Sequence, residues 1–265
     1  MITSLISRKG GVGKTTTAVN LAAALASRGH SVLLVDLDSQ ASASLSLGLT
    51  RSELAPSTAD LILRGVPATS VIRPAHPPGL SLITGSVDLL AADVELGGTN
   101  KGILRLRQAL EPVRGLYDHI LLDCPPALSV VPTSALVASD AFIVPVVPQF
   151  LALEGVENLL HGADRLKERF GIAPSLLGLV LTLVDYRSKN TRETVSMLRE
   201  RYGELVFAVE VRVNVQLAEA PSQGQPVQSY APTSTGAEAY RLLAEEFLLR
   251  AERSERRLAD AAVGA

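Results

Sequence analysis

A glycine-rich loop near the amino terminus has the residue types and spacing needed to bind the phosphates of a nucleotide. The segment 8–16 reads RKGGVGKTT, follows an apolar run and precedes a helical pattern, which is the context of a P-loop. Glycines let backbone N–H groups turn towards phosphate, and the following helix start adds positive potential. Lys14 is expected to reach the terminal phosphates, and the Thr15 hydroxyl to ligate magnesium. The residues predicted to bind the nucleotide are Lys9, Gly10, Gly11, Val12, Gly13, Lys14, Thr15 and Thr16.

Two acidic residues at the ends of apolar runs are candidates for contact with that magnesium ion. Asp123 follows the run HILL and is predicted to be the Walker B acid, which holds the ion through water. Asp36 ends the run SVLLV and is predicted to contact the ion through a water molecule as well. The alternative for both residues is an acidic side chain that ends a strand and caps the next helix.

The elements that must position these residues alternate between apolar runs and helical patterns. Strands are predicted at 2–7, 31–36, 80–84, 119–123, 141–147 and 176–183, and helices at 15–28, 87–96, 101–114, 153–170, 191–202 and from 235 to about 258. Uniformly apolar strands suit a parallel sheet that is covered on both faces. The pattern therefore predicts a doubly wound, mostly parallel α/β fold in one P-loop domain over residues 1–258, with 259–265 as a frayed tail.

Composition narrows the possible environments and partners. The 265 residues carry a formal net charge of −2, so any binding to nucleic acid requires a local basic patch. Cys124 is the only cysteine, which excludes an intramolecular disulfide and agrees with a reducing cytoplasm. No run of 18 apolar residues occurs, so a transmembrane helix is not expected. We expect a cytoplasmic protein without a signal peptide.

The phosphate loop departs from the common P-loop pattern in a way that points to one family. KGGVGKTT resembles the signature of the ParA/MinD family of deviant Walker A ATPases, in which a second lysine precedes the glycines. LLVDLDSQ (residues 33–40) and LLDCPP (121–126) resemble the two switch segments of that family. LALEGVENL (151–159) and the segment 214–240 resemble short, Soj-like ParA proteins of chromosome and plasmid partition more than MinD.

This resemblance implies an ATP- and Mg²⁺-dependent switch. It assigns Lys9 to the nucleotide of the partner subunit, so that ATP joins two monomers into a homodimer. It assigns Asp38 to the positioning of the attacking water, which makes Lys9, Lys14 and Asp38 the predicted catalytic residues. For Asp38 too, a capping role is the alternative. Arg212 and Asn214 fall where the family contacts adenine, although arginine stands at 212 in place of the usual proline.

The resemblance also implies non-specific binding to double-stranded DNA, a ParB-type activator and a nucleoid-associated location. Residues 185–202 carry five basic residues against three acidic ones, whereas residues 234–265 carry five arginines against six acids. The candidate DNA contacts are Arg187, Lys189, Arg192, Arg250, Arg253 and Arg257. The last three share one helical face, but a solvated helix with a Glu246–Arg250 pair would give the same pattern.

Other members of the wider family remain as alternatives. An iron-protein type needs four thiolates for a bridging cluster, and one cysteine per monomer supplies only two. A MinD-like membrane switch requires a terminal amphipathic helix, which the mixed charges of residues 250–257 do not form, so membrane binding is not expected. A ParA-like protein that positions another cargo, such as an organelle or a protein cluster, stays open because the cargo is determined by the partner.

Overall fold

One seven-stranded sheet organises the computed structural model, which describes residues 1–97, 99–126 and 129–263. The strands are β1 (Ile2–Leu5), β2 (Val32–Asp36), β3 (Arg73–Pro74), β4 (Leu80–Ile83), β5 (His119–Asp123), β6 (Ala141–Val146) and β7 (Ser175–Leu181). Their order is β3-β4-β2-β5-β1-β6-β7, and every pairing is parallel except that of the edge strand β3. The predicted fold class is confirmed, and only the two-residue β3 was missed.

The described residues contain thirteen α-helices. These are α1 (Lys14–Ser27), α2 (Ser42–Ser46), α3 (Thr58–Leu63), α4 (Ala68–Val71), α5 (Ala92–Glu95), α6 (Asn100–Ile103), α7 (Arg105–Leu110), α8 (Val130–Ala138), α9 (Ala152–Phe170), α10 (Lys189–Tyr202), α11 (Val215–Glu219), α12 (Val227–Tyr230) and α13 (Thr235–Val263). The short helices α2, α3, α4, α8, α11 and α12 were not predicted. They lie in segments that the sequence pattern left as loops.

Three helix boundaries differ from the sequence prediction. The helix predicted at 87–96 is a 3₁₀ segment, Val87–Ala91, followed by the single turn of α5. The helix predicted at 101–114 is divided into α6, α7 and a 3₁₀ segment. Gly102 lies so close to the preceding turn that an added Cβ would be 2.2 Å from the Leu96 carbonyl oxygen. The last helix runs through Val263, five residues beyond the predicted end near residue 258.

The sheet is covered on both faces because consecutive strand residues point in opposite directions. On β2, Leu34 packs with α1 and α13 in one core cluster, whereas Leu33 and Val35 pack with α3, α7 and α8 in another. A third cluster joins β6 and β7 to α9 and α10. This double coverage accounts for the uniformly apolar strands in the sequence.

The carboxyl ends of β1, β2, β5, β6 and β7 reach the same edge of the sheet, because these strands are parallel. β1 lies between β5 and β6, where the strand order reverses, and ligands bind at such switch points. This edge therefore brings together the phosphate loop and the strand-terminal aspartates. Every helix among the described residues is too short or too polar to span a lipid bilayer.

Candidate nucleotide-binding site

The phosphate loop is a tight turn between β1 and α1. Gly11 and Gly13 have φ values of 71° and 77°. These values lie in the left-handed region, which residues with a Cβ rarely adopt. Val12, between them, is buried, and its carbonyl accepts a 2.8 Å hydrogen bond from the Thr182 hydroxyl just beyond β7. The shape of the loop is thus fixed from β1 and from the end of β7, two distant parts of the chain.

The two lysines of the loop occupy different environments. Lys14 is 6% exposed, and its Nζ donates to the Lys9 carbonyl oxygen at 3.2 Å. Burial lowers the pKa of Lys14, while the negative charges of Asp123 and Asp38 oppose that shift. Lys9 is exposed, and its Nζ donates to Gln149 Oε1 at 2.9 Å. Lys14 therefore points into the loop, whereas Lys9 lies at its outer rim.

Asp123 is a buried carboxylate without a partner. Neither of its oxygens makes a hydrogen bond within the part of the chain that the structure describes. Burial raises the pKa of Asp123 well above its usual value, and the charge of Asp36 adds to that effect, whereas the nearby Thr15 hydroxyl and Lys14 lower it. The Thr15 hydroxyl lies near this carboxyl, but the two groups do not form a hydrogen bond of normal geometry. An unsatisfied buried carboxylate beside a hydroxyl is an oxygen donor set of the kind that Mg²⁺ prefers, so these residues fit the predicted metal.

Asp36 and Asp38 are placed differently from each other. Asp36 is fully buried, and both of its oxygens accept hydrogen bonds, from the backbone of Asp38 and from Ser44. Burial nevertheless raises the pKa of Asp36 to about 6. Asp38 is partly exposed, and its carboxylate accepts a 2.9 Å hydrogen bond from the Gln40 backbone N–H. The structure thus brings Asp38 to the loop and occupies Asp36 with protein donors.

The predicted adenine contacts already have protein partners. Arg212 stacks over the Tyr186 ring, with its Cζ 5.4 Å from the ring centre. Both residues line an open depression of about 580 Å³. Val184, two residues after Thr182, also lines it. Asn214 caps α11 by accepting from the Leu217 backbone N–H, and it donates to Thr235 Oγ1. Arg212 thus lines an open depression, whereas Asn214 holds the start of α11.

Some of the candidate DNA contacts are free side chains, whereas others already bond to groups of the protein. The guanidinium of Arg250 pairs with Glu246, donates to the carbonyls of Leu177 and Val206, and lies 4.1 Å from the centre of the Phe207 ring. With 17% of its side chain exposed, Arg250 has little freedom to reach a phosphate. The hydrogen bonds instead tie α13 to the outer edge of β7.

The remaining basic residues are at the surface. Arg253 and Arg257 are exposed and form no ion pair within the described residues. They line a groove of about 690 Å³ that Arg199, near the end of α10, also lines. At the start of α10, Arg187 pairs with Asp185 and Lys189 with Glu193, and the Arg192 side chain donates to the Tyr186 carbonyl. The structure does not place the two predicted patches side by side, because they lie near opposite ends of α10.

Two polar contacts between α1 and the carboxyl-terminal segment were missed by sequence reasoning. The Thr17 and Tyr240 hydroxyls are buried and 3.1 Å apart. Asn20 donates to the Thr16 carbonyl and accepts from the Val227 backbone N–H, both at 2.7 Å. Polar residues on the core-facing side of an otherwise apolar helix were the available signal, but their partners lie more than 200 residues away.

The site has a glycine loop with an inward lysine between a strand and a helix start, and a buried acid on the adjacent strand. These features define a P-loop nucleotide-binding protein. A family model described as an AAA domain matches residues 1–176, more than half of the chain. The chromosome-partitioning ATPase Soj of Thermus thermophilus is 42% identical over 249 residues, which cover 94% of this chain and 96% of that protein. The chromosome partitioning protein ParA of Caulobacter vibrioides is 37% identical over 251 residues, 94% of each chain.

This chain belongs to the ParA/Soj family of P-loop ATPases, as its two loop lysines predicted. Among solved structures, cobyrinic acid a,c-diamide synthase from Mycobacterium smegmatis with a bound ATP analogue and magnesium is 31% identical. It superposes with a TM-score of 0.80 over 96% of both chains. The fold and the ATPase class are therefore confirmed.

Proposed function

We propose that this chain is a Mg-ATP-dependent dimerising switch that binds DNA non-specifically and partitions chromosomal or plasmid DNA together with a ParB-type activator. The observation that carries the proposal is the contrast between the two loop lysines. Lys14 is buried at the phosphate loop, whereas Lys9 is exposed at its rim, and among the described residues its ammonium group bonds only to a surface glutamine. This arrangement supports one lysine for the chain's own nucleotide and one for the nucleotide of a second copy.

In this proposal the chain's own residues hold ATP and its metal. Backbone N–H groups of the loop and Lys14 bind the phosphates, and Thr15 and Asp123 hold Mg²⁺, which neutralises phosphate charge when it is bound. Asp38 orients the attacking water. Arg212 provides a face for the base. Solved relatives that carry an ATP analogue or ADP with magnesium support this assignment.

The distribution of exposed apolar side chains supports dimerisation through the nucleotide face. Thirteen large hydrophobic residues are exposed in the part of the chain that the structure describes, and eight of them lie in the segments after β4, β6 and β7 or next to the bridge between Val184 and Arg212. These eight are Val87, Leu90, Val94, Phe150, Leu151, Leu183, Val213 and Val215. Exposed apolar groups concentrated on one face favour a protein interface. A second copy bound there covers them and brings its Lys9 to the nucleotide.

The basic surface supports binding to phosphates without reading of bases. Arg253 and Arg257 lie near one end of α10, and Arg187, Lys189 and Arg192 near the other. A helix of 14 residues is about 20 Å long, so the two patches are separated by about the length of α10. Since the net charge is −2, the doubling of these patches in a dimer makes DNA binding depend on ATP.

Dimerisation is tested with Lys9→Ala. The variant is expected to bind a fluorescent ATP analogue normally but to remain monomeric in light scattering with ATP, whereas the wild type doubles its mass. The matched control is Lys167→Ala, which removes an exposed lysine in the last turn of α9, away from the sheet edge at which that helix begins, and leaves dimerisation intact. A Lys9→Ala protein that dimerises normally with ATP refutes the cross-subunit role.

DNA binding is tested by charge reversal and salt titration. The Arg253→Glu/Arg257→Glu protein is expected to bind duplex DNA more weakly, with a log–log salt slope shallower by about 0.9 for each phosphate that the variant no longer neutralises. Arg51→Glu, an exposed arginine on the 3₁₀ segment Arg51–Glu53, is the matched control. Arg187→Glu/Lys189→Glu tests the other patch. A wild-type ATP dimer that fails to bind duplex DNA at low salt contradicts the partition proposal and favours a positioner of another cargo.

A further inference from the structure

A buried cluster lies directly beneath the turn that carries Asp38, and we call Asp36, Ser44 and Gly85 the Asp36 clamp. Asp36 Oδ2 accepts hydrogen bonds from the backbone N–H and the hydroxyl of Ser44, at 2.9 and 2.6 Å. Asp36 Oδ1 accepts from the Asp38 backbone N–H at 3.1 Å. One carboxylate therefore links the start of the turn to α2, the helix that follows it.

The clamp also joins this turn to the neighbouring strand. The Ser44 hydroxyl accepts a 3.1 Å hydrogen bond from the Gly85 backbone N–H, just beyond β4. Asp36 and Ser44 have no exposed surface. A Cβ added at Gly85 would lie 2.5 Å from the Asp38 carbonyl oxygen. The Asp38 backbone is thus held from one side by Asp36 and from another by the chain at Gly85.

The turn itself has a conformation that needs external support. Ala41 has a φ of 55°, which is unfavourable for a residue with a Cβ, and its N–H donates to the Asp38 carbonyl at 2.9 Å. Such a conformation persists when its surroundings fix it. The side chain of Asp38 is close enough to the loop that its charge acts on Lys14 and Asp123.

We propose that Ser44 and Asp36 are positioning residues for ATP hydrolysis, which fix the Asp38 turn so that the Asp38 carboxylate meets the terminal phosphate. This inference rests on the role of Asp38 in the proposed function. It gives Asp36 a different task from the predicted contact with magnesium water, because both of its oxygens already accept protein donors. The hydroxyl of Ser44 is the link that sequence reasoning did not single out.

Ser44→Ala tests the clamp, because it removes the hydroxyl but keeps the backbone hydrogen bond to Asp36. A misplacement of about 1 Å at a catalytic group can cost about 10²-fold in rate. We expect kcat to fall about 10- to 100-fold, with ATP affinity changed less than about twofold. Ser44→Thr retains the hydroxyl and is expected to recover most of the rate. Ser46→Ala is the matched control, since in the described part of the chain the Ser46 hydroxyl bonds only to the Ser42 carbonyl of its own helix.

A double-variant cycle with Asp38→Ala separates this inference from the proposed function. The clamp acts through Asp38, so Ser44→Ala is expected to cause no further decrease in the Asp38→Ala background. Asp38→Ala with normal hydrolysis overturns both the role of Asp38 and the clamp. A slow Asp38→Ala protein that Ser44→Ala slows further by the same factor overturns the clamp alone. If Ser44→Ala does not fold, Gly85→Ala, which pushes on the Asp38 carbonyl, is expected to give the same decrease in kcat, and an unchanged kcat refutes the clamp.

Discussion

The buried hydrogen bond between Thr17 and Tyr240 makes a prediction whose size follows from the structure. It connects α1, which carries the predicted nucleotide-site residues Thr15 and Thr16, to α13, which carries Arg253 and Arg257. The two residues are 0% and 1% exposed, and their hydroxyl oxygens are 3.1 Å apart. Removal of one partner leaves the other buried and unsatisfied, at a cost of about 1–3 kcal/mol.

Tyr240→Phe and Thr17→Val are each expected to lower the free energy of unfolding by that amount. The double variant removes both polar groups, so it is expected to cost no more than either single change. Urea unfolding monitored by circular dichroism measures the three values, and each kcal/mol corresponds to about 2–4 °C in Tm for a chain of this size. The double-mutant cycle should thus give a coupling energy of about 1–3 kcal/mol.

Tyr230→Phe is the matched control for this cycle. The Tyr230 hydroxyl donates to Glu219 at the surface, so its removal is expected to change the unfolding free energy by less than about 0.5 kcal/mol. Destabilisations at Thr17 and Tyr240 that add fully in the double variant would show that the bond contributes nothing, and the polar link between α1 and α13 would have to be abandoned.

Three further predictions concern the nucleotide-binding site and His119, the first residue of β5. Lys14→Ala should abolish binding in a titration with a fluorescent ATP analogue, and retained affinity would contradict the phosphate role. Asp38→Ala should bind Mg-ATP but hydrolyse it roughly 10²–10⁴-fold more slowly in single-turnover assays. Burial lowers the pKa of His119 from 6.5 to about 4, so the unfolded chain takes up the proton first as pH falls. Relative to His119→Leu, the wild type should lose up to about 3 kcal/mol of unfolding free energy between pH 6.5 and 4. The raised pKa of Asp36 makes stability change with pH in the opposite direction, but this effect is the same in both proteins and cancels in the comparison. Parallel pH profiles of unfolding free energy would refute the lowered pKa of His119.

The chemistry of the phosphate loop could be predicted from sequence because every residue in it is local. The glycines, Lys14 and Thr15 lie within six positions, and their roles follow from a strand, a turn and a helix start. Asp123 was equally accessible, since an acid that ends an apolar strand reaches the ligand edge of a parallel sheet. Each of these placements follows from the pattern of residues immediately around it.

The short helices could not be predicted for a related reason. The four to nine residues of α2, α4, α8 and α12 are too few for a clear helical period, and helices of that length form because the surrounding core stabilises them. The patterns at 87–96 and 101–114 were each read as one long helix. The second of these helices is divided in the structure, and there the backbone at Gly102 closely approaches that of Leu96. The spacing of apolar residues in the sequence gives no sign of this contact.

Tertiary structure alone decided which polar and charged side chains are free to act. Asp36, Arg250 and Asn214 have the types and spacing of functional residues, yet each is occupied by donors or acceptors from other elements. Arg250 bonds Leu177, 73 residues away, and no local pattern reports such a contact. The sequence by itself determined the phosphate loop, the class of sheet and the carboxyl ends at which the site lies, because those depend on local spacing. The availability of each side chain depends on partners that only folding brings within hydrogen-bond distance.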